Sequence, residues 1–255
     1  MRSITTVALS AALLGSASLL PASAQESFDS TQKQAIETIV RDYLIANPEV
    51  LVEAMSALQA KQDEQQKTAQ ASVIESARDQ LTSAPEGMVF GNPDGDVTIT
   101  EFFDYNCGYC KQALADMTAL LEEDDQIRFV VKEFPILGVG SLEASRVAMA
   151  VRDLAPEKYR GFHEALLERR GSADKAAALG VAEELGVDPA KIEEKLAASA
   201  NMKALQDIQT LASDLRINGT PTYVIGDEVL QARVGLEGLK AVVGSMRACG
   251  KVECS

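Results

Sequence analysis

Cys107-Gly108-Tyr109-Cys110 lies near the middle of the chain, at the junction of two differently patterned segments. The preceding run, Val97-Thr98-Ile99-Thr100-Glu101-Phe102-Phe103, alternates and is rich in strand-forming residues, whereas residues 111–117 have a helical pattern. The first sulfur is therefore predicted at a helix N-terminus, where backbone N–H groups and the helix dipole favour a thiolate. The spacing lets the second sulfur reach the first, so the pair is predicted to cycle between dithiol and disulfide.

A C-x-x-C pair also occurs in zinc sites, where two further ligands complete the coordination. This chain has one histidine, His163, and one other cysteine pair, so the sequence favours the redox interpretation and predicts no metal. His163 lies far along the chain from the cysteines and is interpreted as a packing or surface residue.

The first 24 residues have the composition of a secretory signal peptide. Arg2 precedes a mostly apolar run from Val7 to Leu20, and Ala22-Ser23-Ala24 supplies a cleavage site. The apolar run is short for a membrane anchor. The mature protein is therefore predicted in an oxidising space such as a bacterial periplasm.

Length and charge restrict the remaining possibilities. The chain has 255 residues, which suits one domain with an extension. Its formal net charge of −14 argues against nucleic acid as a partner and predicts a self-repelling, soluble surface.

Residues 25–81 are predicted to form a helical segment, capped at Ser30 or Thr31 and interrupted at Asn47-Pro48. Residues 61–67 have almost no apolar face, which indicates an exposed stalk. The amphipathic helices before the stalk either fold back on the catalytic domain or pack against copies of themselves. The stalk favours self-association.

Residues 82–96 are interpreted as a linker with a first edge strand at residues 88–90. A strand at residues 126–132 follows the cysteine-bearing helix and completes a βαβ unit with parallel pairing. Residues 141–214 have successive helical patterns, and a β-hairpin from residue 222 and a last helix at residues 236–247 follow. The predicted fold class is α/β.

This order of elements resembles the thioredoxin fold, and two runs resemble its secreted, DsbA-like branch. They are Glu101-Phe102-Phe103-Asp104-Tyr105-Asn106-Cys107-Gly108-Tyr109-Cys110-Lys111 and Lys132-Glu133-Phe134-Pro135-Ile136-Leu137-Gly138. The resemblance covers residues 88–248 and identifies residues 141–214 as that branch's helical insertion. The N-terminal helices are similar to those of suppressor-of-copper-sensitivity proteins, some of which trimerise through this region.

The resemblance implies roles for the residues around the cysteines. Cys107, the more exposed sulfur, would be the nucleophile and Cys110 the resolving thiol. The Thr220-Pro221 bond would be cis and present backbone to an extended substrate, beside Gly108 and Tyr109 between the cysteines.

Two charged residues on the predicted strands are further candidates for catalysis. Glu101 matches an acid that lies below the disulfide in relatives and helps to move protons. Lys132 ends the neighbouring strand and is expected to pair with Glu101.

Strong oxidases of this branch carry Pro-His between the cysteines, whereas this chain has Gly108-Tyr109, so its disulfide is expected to be less oxidising. Gly-Tyr together with Thr before the Pro occurs in oligomeric disulfide isomerases. The hypothesis is a homotrimeric isomerase or reductase of secreted proteins, reset by a membrane partner and needing no cofactor beyond its own disulfide. The alternatives are a monomeric dithiol oxidase and a copper-binding thiol protein.

The C-terminal tail, residues 249–255, contains the second cysteine pair. Cys249 and Cys254 are predicted to form a local structural disulfide, and a second redox or metal-binding pair is the alternative.

Overall fold

A computed structural model describes residues 28–197 and 200–254 of the chain. The predicted signal peptide at residues 1–24 lies outside the described residues. Across the described ranges, none of the helices combines the length and the apolar character that a membrane span needs.

Contacts divide the chain into two units, Met1–Gln59 and Ala60–Ser255. Helices α1 (Ser30–Ala46) and α2 (Glu49–Ser76) are separated at Asn47-Pro48, as predicted. The predicted cap at Ser30 or Thr31 is wrong. Asp29 caps α1 instead, because its carboxylate accepts from the backbone N–H groups of Thr31 and Gln32.

The second unit holds the end of α2 and the remaining helices and strands. In chain order these are α3 (Arg78–Thr82), β1 (Val89–Gly91), β2 (Val97–Phe103), α4 (Gly108–Glu123), β3 (Ile127–Glu133), α5 (Val139–Leu154), α6 (Pro156–Glu168), α7 (Lys175–Glu184), α8 (Pro189–Ala197), α9 (Ala200–Asp214), β4 (Thr222–Ile225), β5 (Glu228–Gln231) and α10 (Leu236–Cys249).

The five strands form one mixed sheet in the order β1-β3-β2-β4-β5. Strands β2 and β3 are parallel, which confirms the predicted βαβ unit, and the other neighbours are antiparallel. Helices α5 to α9 confirm the all-helical insertion between β3 and β4.

The two faces of the sheet bury different sets of side chains, because successive strand residues point to opposite faces. Ile99 and Phe103 of β2 belong to the larger core, which includes Leu114 and Met117 of α4 and Leu239 of α10. The other face of β2 contributes to a second core with α3, the end of α2, α9 and β4. Its buried residues are Ile74, Ala77, Leu81, Phe102, Phe134, Leu211, Ala212, Leu215, Ile217 and Val224.

The second core changes one predicted boundary. Residues 61–67 are exposed, as expected for a polar helix, but Ile74 and Leu81 are buried against the sheet. Residues 60–81 therefore belong to the second unit rather than to a helical segment that ends at residue 81.

Candidate active site

Cys107 is the N-cap residue of α4, with extended backbone dihedrals. Its sulfur accepts from the backbone N–H of Cys110 at 3.4 Å and lies 3.1 Å from the Thr220 carbonyl oxygen, to which Cys107 donates when it is protonated. Both cysteines are free thiols and both are buried, Cys107 with 6% exposure and Cys110 with 1%. The first sulfur is the more accessible, as predicted.

The surroundings of Cys107 favour its charged form. The pKa of Cys107 is lowered to about 5, and the largest cause is a hydrogen bond from the Cys110 thiol, against the opposing effect of burial. Hydrogen bonds with Thr220 and with the N–H groups of Cys110 and Tyr109 contribute to the same lowering. A thiolate at Cys107 is therefore the dominant form at neutral pH.

Cys110 is held in the opposite state. Burial raises its pKa well above the ordinary range, and the hydrogen bond to Cys107 and the charge of Glu101 add to that shift. The pair therefore consists of one thiolate and one thiol that keeps its proton.

Glu101 lies on β2, paired with Val131 of β3 and Tyr223 of β4. Burial raises the pKa of Glu101 to about 8, and the charges of Cys107 and Asp116 contribute to the increase. A carboxyl with this pKa exchanges a proton readily near neutral pH.

Asp116 of α4 forms a two-pronged ion pair with Arg233, at 2.6 and 2.7 Å. Asp116 is buried, whereas the Arg233 side chain is partly exposed. The pair therefore connects the inner surface of α4 to solvent. Sequence reasoning missed it because the two residues are 117 positions apart.

Lys132 does not pair with Glu101 in the described structure. Phe102, not Glu101, is the β2 partner of Lys132, so alternation directs Lys132 to the opposite face. Its amine donates instead to the carbonyls of Gln80 and Ser83, at 2.8 and 2.7 Å.

The Thr220-Pro221 peptide bond is cis, as predicted. Thr220 meets Cys107 through the carbonyl contact described above. Gly108 opens α4 and has open space where a Cβ would lie, and the Tyr109 side chain is 64% exposed. The backbone before Pro221 and the two residues between the cysteines therefore lie where another chain can approach the sulfur.

Asp104 forms hydrogen bonds that connect the turn before Cys107 to the loop at residues 136–137. Its fully buried carboxylate accepts from the N–H groups of Asn106, Ile136 and Leu137, at 2.8 to 2.9 Å. The Asn106 amide in turn donates to Ser141 at 2.9 Å. The contact from Asn106 is a local turn that an Asp two residues earlier predicts, but the contacts across the loop were not predictable from spacing.

Leu137 lies on the loop that is bonded to Asp104, and Val139 is the first residue of α5. Both side chains are exposed. Together with Tyr109 they are the exposed large apolar side chains in the described part of the second unit. We call these three residues the apolar rim. Asp104 connects Leu137 to the loop that carries Cys107, so part of the rim belongs to the active-site region.

Glu133 is a second buried carboxyl that the sequence did not single out. It accepts from Tyr105 at 3.0 Å, Tyr159 at 2.7 Å and Ser145 at 2.6 Å, and burial raises its pKa to about 7. His163 is buried among the neighbouring aromatic rings, which confirms its interpretation as a packing residue.

Cys249 and Cys254 are bonded to each other, as predicted. The loop that they close buries Val252 in the larger core, so the bond holds the tail against the domain. Among the described residues, no group of three or more His, Cys, Asp or Glu side chains is arranged to hold a metal ion.

Two family profiles match the chain. The first, described as DSBA-like thioredoxin domain, matches residues 98–246, more than half of the chain. The second, described as Copper resistance protein ScsC N-terminal domain, matches residues 32–65.

Solved structures of similar proteins extend the comparison. A thioredoxin-like oxidoreductase from Silicibacter pomeroyi is 38% identical, with a TM-score of 0.64, and the match covers 68% of this chain and 98% of that one. Proteus mirabilis ScsC, in a transitional conformation, is 28% identical with a TM-score of 0.63, and the match covers 87% of this chain and 98% of that one.

Curated relatives include the disulfide bond formation protein D of Bacillus subtilis, 24% identical over 61% of this chain and 74% of that protein. Two Salinispora Na⁺/H⁺ antiporters of the NhaA type also match, at 28% and 29% identity over 62% and 68% of this chain. The chain spans only 24% and 28% of their lengths.

The profile over residues 98–246 includes both free cysteines and the cis-proline, and the ScsC N-terminal profile matches residues 32–65 of the N-terminal helices. The chain therefore belongs to the DSBA-like thioredoxin domain family of thiol–disulfide oxidoreductases.

Proposed function

We propose that this chain is a protein disulfide isomerase of secreted proteins, with Cys107 as the attacking thiolate and Cys110 as the resolving thiol. The observation that carries the proposal is the opposite shift of the two sulfurs. The pKa of Cys107 is lowered to about 5, whereas that of Cys110 is raised far above its ordinary value. Only one sulfur is thus ready to attack a disulfide of a substrate protein, here called the client.

The exchange proceeds in two steps. The Cys107 thiolate attacks one sulfur of a client disulfide, the S–S bond breaks, and the other client sulfur leaves as a thiolate. In isomerisation, that or another client thiolate attacks the mixed disulfide, forms a new client bond and restores the Cys107 thiolate.

A client that stays attached is released by Cys110. The Cys110 thiol loses its proton to Glu101 and attacks the Cys107 sulfur, so the client leaves reduced and the Cys107–Cys110 disulfide forms. Because the pKa of Glu101 is raised to about 8, its deprotonated carboxylate is a strong enough base to accept this proton, and the fraction in that form grows as the pH rises towards 8. No other cofactor is needed for this cycle.

Two features favour isomerisation over net oxidation. The Gly108-Tyr109 pair contains no histidine to stabilise the Cys107 thiolate further, so the disulfide is expected to be a moderate oxidant. The apolar rim of Tyr109, Leu137 and Val139 also suits clients whose cores are still exposed. Thr220 would bind the client backbone beside the sulfur.

The N-terminal unit supports assembly as a homotrimer. Helix α1 buries none of its residues, and apolar side chains including Ile39, Tyr43, Met55 and Leu58 are exposed. Such a surface is expected to bury itself against copies of the same helices. The match of residues 32–65 to the ScsC N-terminal domain supports this assembly.

The proposed compartment is the periplasm. The secretory pattern at residues 1–24 and the oxidised Cys249–Cys254 pair support it. The expected partners are cysteine-containing secreted proteins and a membrane redox protein that resets the active site. Nucleic acid is not expected as a partner because the net charge is −14.

The deciding experiment is recovery of activity from scrambled ribonuclease in a glutathione buffer. We expect the wild-type protein to restore ribonuclease activity and Cys107→Ser to abolish that gain. Rapid oxidation of a reduced peptide without reactivation of scrambled ribonuclease would show a dithiol oxidase instead.

A second candidate function is copper handling. It is favoured by the match to the copper resistance protein ScsC N-terminal domain together with two free, adjacent thiols. Copper(I) titration of the wild-type protein and of Cys107→Ser discriminates, since a copper site made by this pair is lost in the variant.

A further inference from the structure

A cavity of about 540 Å³ lies in the second unit at the β1–β3 edge of the sheet, between the chain around α3 and helices α5 and α9. Its volume is in the range of small-molecule sites. Its apolar wall includes Met88, Val131, Met149, Ile208 and Leu211. An apolar wall of this size suits a short aliphatic chain.

Two cations also line the cavity. Lys132 is 93% buried by residue area (7% exposed), and its amine donates to two backbone carbonyls, of Gln80 and Ser83. An ammonium has three donors, so one remains. Across the described residues, no carboxylate forms an ion pair with Lys132.

Arg152 is the second cation, with only 11% of its side chain exposed. Its Nε and Nη2 donate to Asp153, which offsets its charge. Its Nη1, however, faces the Met88 sulfur at 3.7 Å, and a thioether is a weak acceptor. One Lys132 donor and the weakly bonded Nη1 of Arg152 therefore remain for a further acceptor.

Asp207 is an acidic residue of the cavity lining, and it is paired with Lys203 at 2.6 Å. The charge left uncompensated in the lining is thus that of Lys132. A buried cation without a carboxylate partner carries a large desolvation cost, which a bound anion would relieve. Burial correspondingly lowers the pKa of Lys132 to about 8.

We propose that this cavity binds a small monocarboxylate with an aliphatic tail of medium length. The carboxylate accepts from Lys132 and Arg152, and the tail lies along the wall that Met88, Ile208 and Leu211 form. Lys132 lies on the face of the sheet opposite to Glu101, so the carboxylate-binding end of the cavity is separate from the dithiol.

The test is calorimetric titration of the oxidised protein with sodium octanoate, octan-1-ol and octylammonium. Binding is read without turnover, so the result is independent of the proposed isomerase activity. We expect octanoate to bind about ten-fold or more tightly than octan-1-ol, since charge-assisted hydrogen bonds recognise the carboxylate. Octylammonium is expected not to bind.

Variants locate the site. Arg152→Gln and Lys132→Gln are expected to weaken octanoate binding about ten-fold each, whereas Lys191→Gln, on the exposed start of α8, leaves it unchanged. If the buried substitutions unfold the protein, Ile208→Glu at the partly exposed wall supplies the test, with Ile208→Gln as its control. Equal binding of octanoate and octan-1-ol, no octanoate binding, or unchanged binding in both Ile208→Glu and Arg152→Gln would overturn the proposal.

Discussion

At the scale of single residues, the proton of Cys110 determines the state of Cys107. The largest contribution to the low pKa of Cys107 is the hydrogen bond from the Cys110 thiol, ahead of the helix N–H groups. The two sulfurs are therefore coupled before any client arrives, and the helix N-terminus alone does not account for the thiolate.

Removing that hydrogen bond is expected to raise the pKa of Cys107. In Cys110→Ala we expect the pKa to rise from about 5 towards the ordinary value of 9.0, because no side-chain donor remains. Cys110→Ser keeps a hydroxyl donor and is the matched control, with a smaller rise. Ultraviolet absorbance of the thiolate, recorded against pH, measures both, and an alanine variant that titrates like wild type would contradict this account.

The rate of client release is expected to depend on pH with the pKa of Glu101. In the wild type, the rate of release should rise with pH through about 8, as Glu101 loses its proton and becomes able to accept one from Cys110. Glu101→Gln has no such group, so that inflection should disappear and release at neutral pH should be slower. Stopped-flow mixing with a peptide disulfide measures the rate, and an inflection that persists in the variant would assign it to another group.

The stability of the same variant supplies a control that does not depend on turnover. The pKa of Glu101 is about 8 in the folded protein, above the ordinary glutamate value of 4.5. Its favourable contribution is therefore complete below pH 4.5 and is lost as the pH rises through 8, by about 1.4 kcal/mol for each pH unit. The free energy of unfolding of the wild type should fall across that window relative to Glu101→Gln.

At the scale of elements, the largest difference from the sequence prediction concerns the end of α2 and α3. The polar run at residues 61–67 was predicted correctly. The buried apolar face that follows it, with Ile74, Ala77 and Leu81, was not predicted. A window that averages over the polar run cannot show that a short apolar face resumes behind it. Only the three-dimensional arrangement shows that this face covers the sheet.

Leu81→Ala is expected to destabilise the catalytic unit by roughly 2–4 kcal/mol, because Leu81 is buried beside Phe102 in the second core. Val52→Ala, at an exposed position of α2, is the matched control and should change the free energy of unfolding of an isolated monomer little. Denaturant titration under dilute conditions measures both, and equal effects would show that the second core does not support the fold.

The strand elements explain why one predicted pair is absent. Glu101 and Lys132 are charged candidates on neighbouring strands, yet the parallel register sets Glu101 beside Val131 and Lys132 beside Phe102. Alternation then separates the two charges by the thickness of the sheet. The register between two strands depends on contacts far apart in the chain, so it was not available from spacing alone.

At the scale of the whole molecule, the sequence predicted the order of elements, the redox pair, the cis bond and the terminal disulfide. These features rest on local signals such as Cys-Gly-Tyr-Cys and Thr-Pro, or on a resemblance that covers residues 88–248. Asp104, Glu133 and the Asp116–Arg233 pair were missed, because their partners outside the local turn at Asn106 lie 12 to 117 residues away. Local pattern carries no information about such contacts.

The mass in solution tests the assembly of the whole molecule. We expect residues 25–255 to form a trimer and residues 60–255 to be monomeric, because the exposed apolar residues of α1 and early α2 are absent from the shorter fragment. The shorter fragment should keep peptide oxidation and lose reactivation of scrambled ribonuclease. Light scattering measures both masses, and a monomeric longer chain would remove the basis for assembly through these helices.

Asp104 has a consequence for how clients are selected. One carboxylate holds the turn before Cys107 and the loop at Ile136 and Leu137, so neither segment can swing away while the other stays in place. We therefore expect the backbone around Cys107 to keep the same shape for each incoming polypeptide. The range of proteins that bind is then set by side chains that can pack against many partners, the phenol of Tyr109 and the aliphatic ends of Leu137 and Val139. It does not depend on a change in backbone shape.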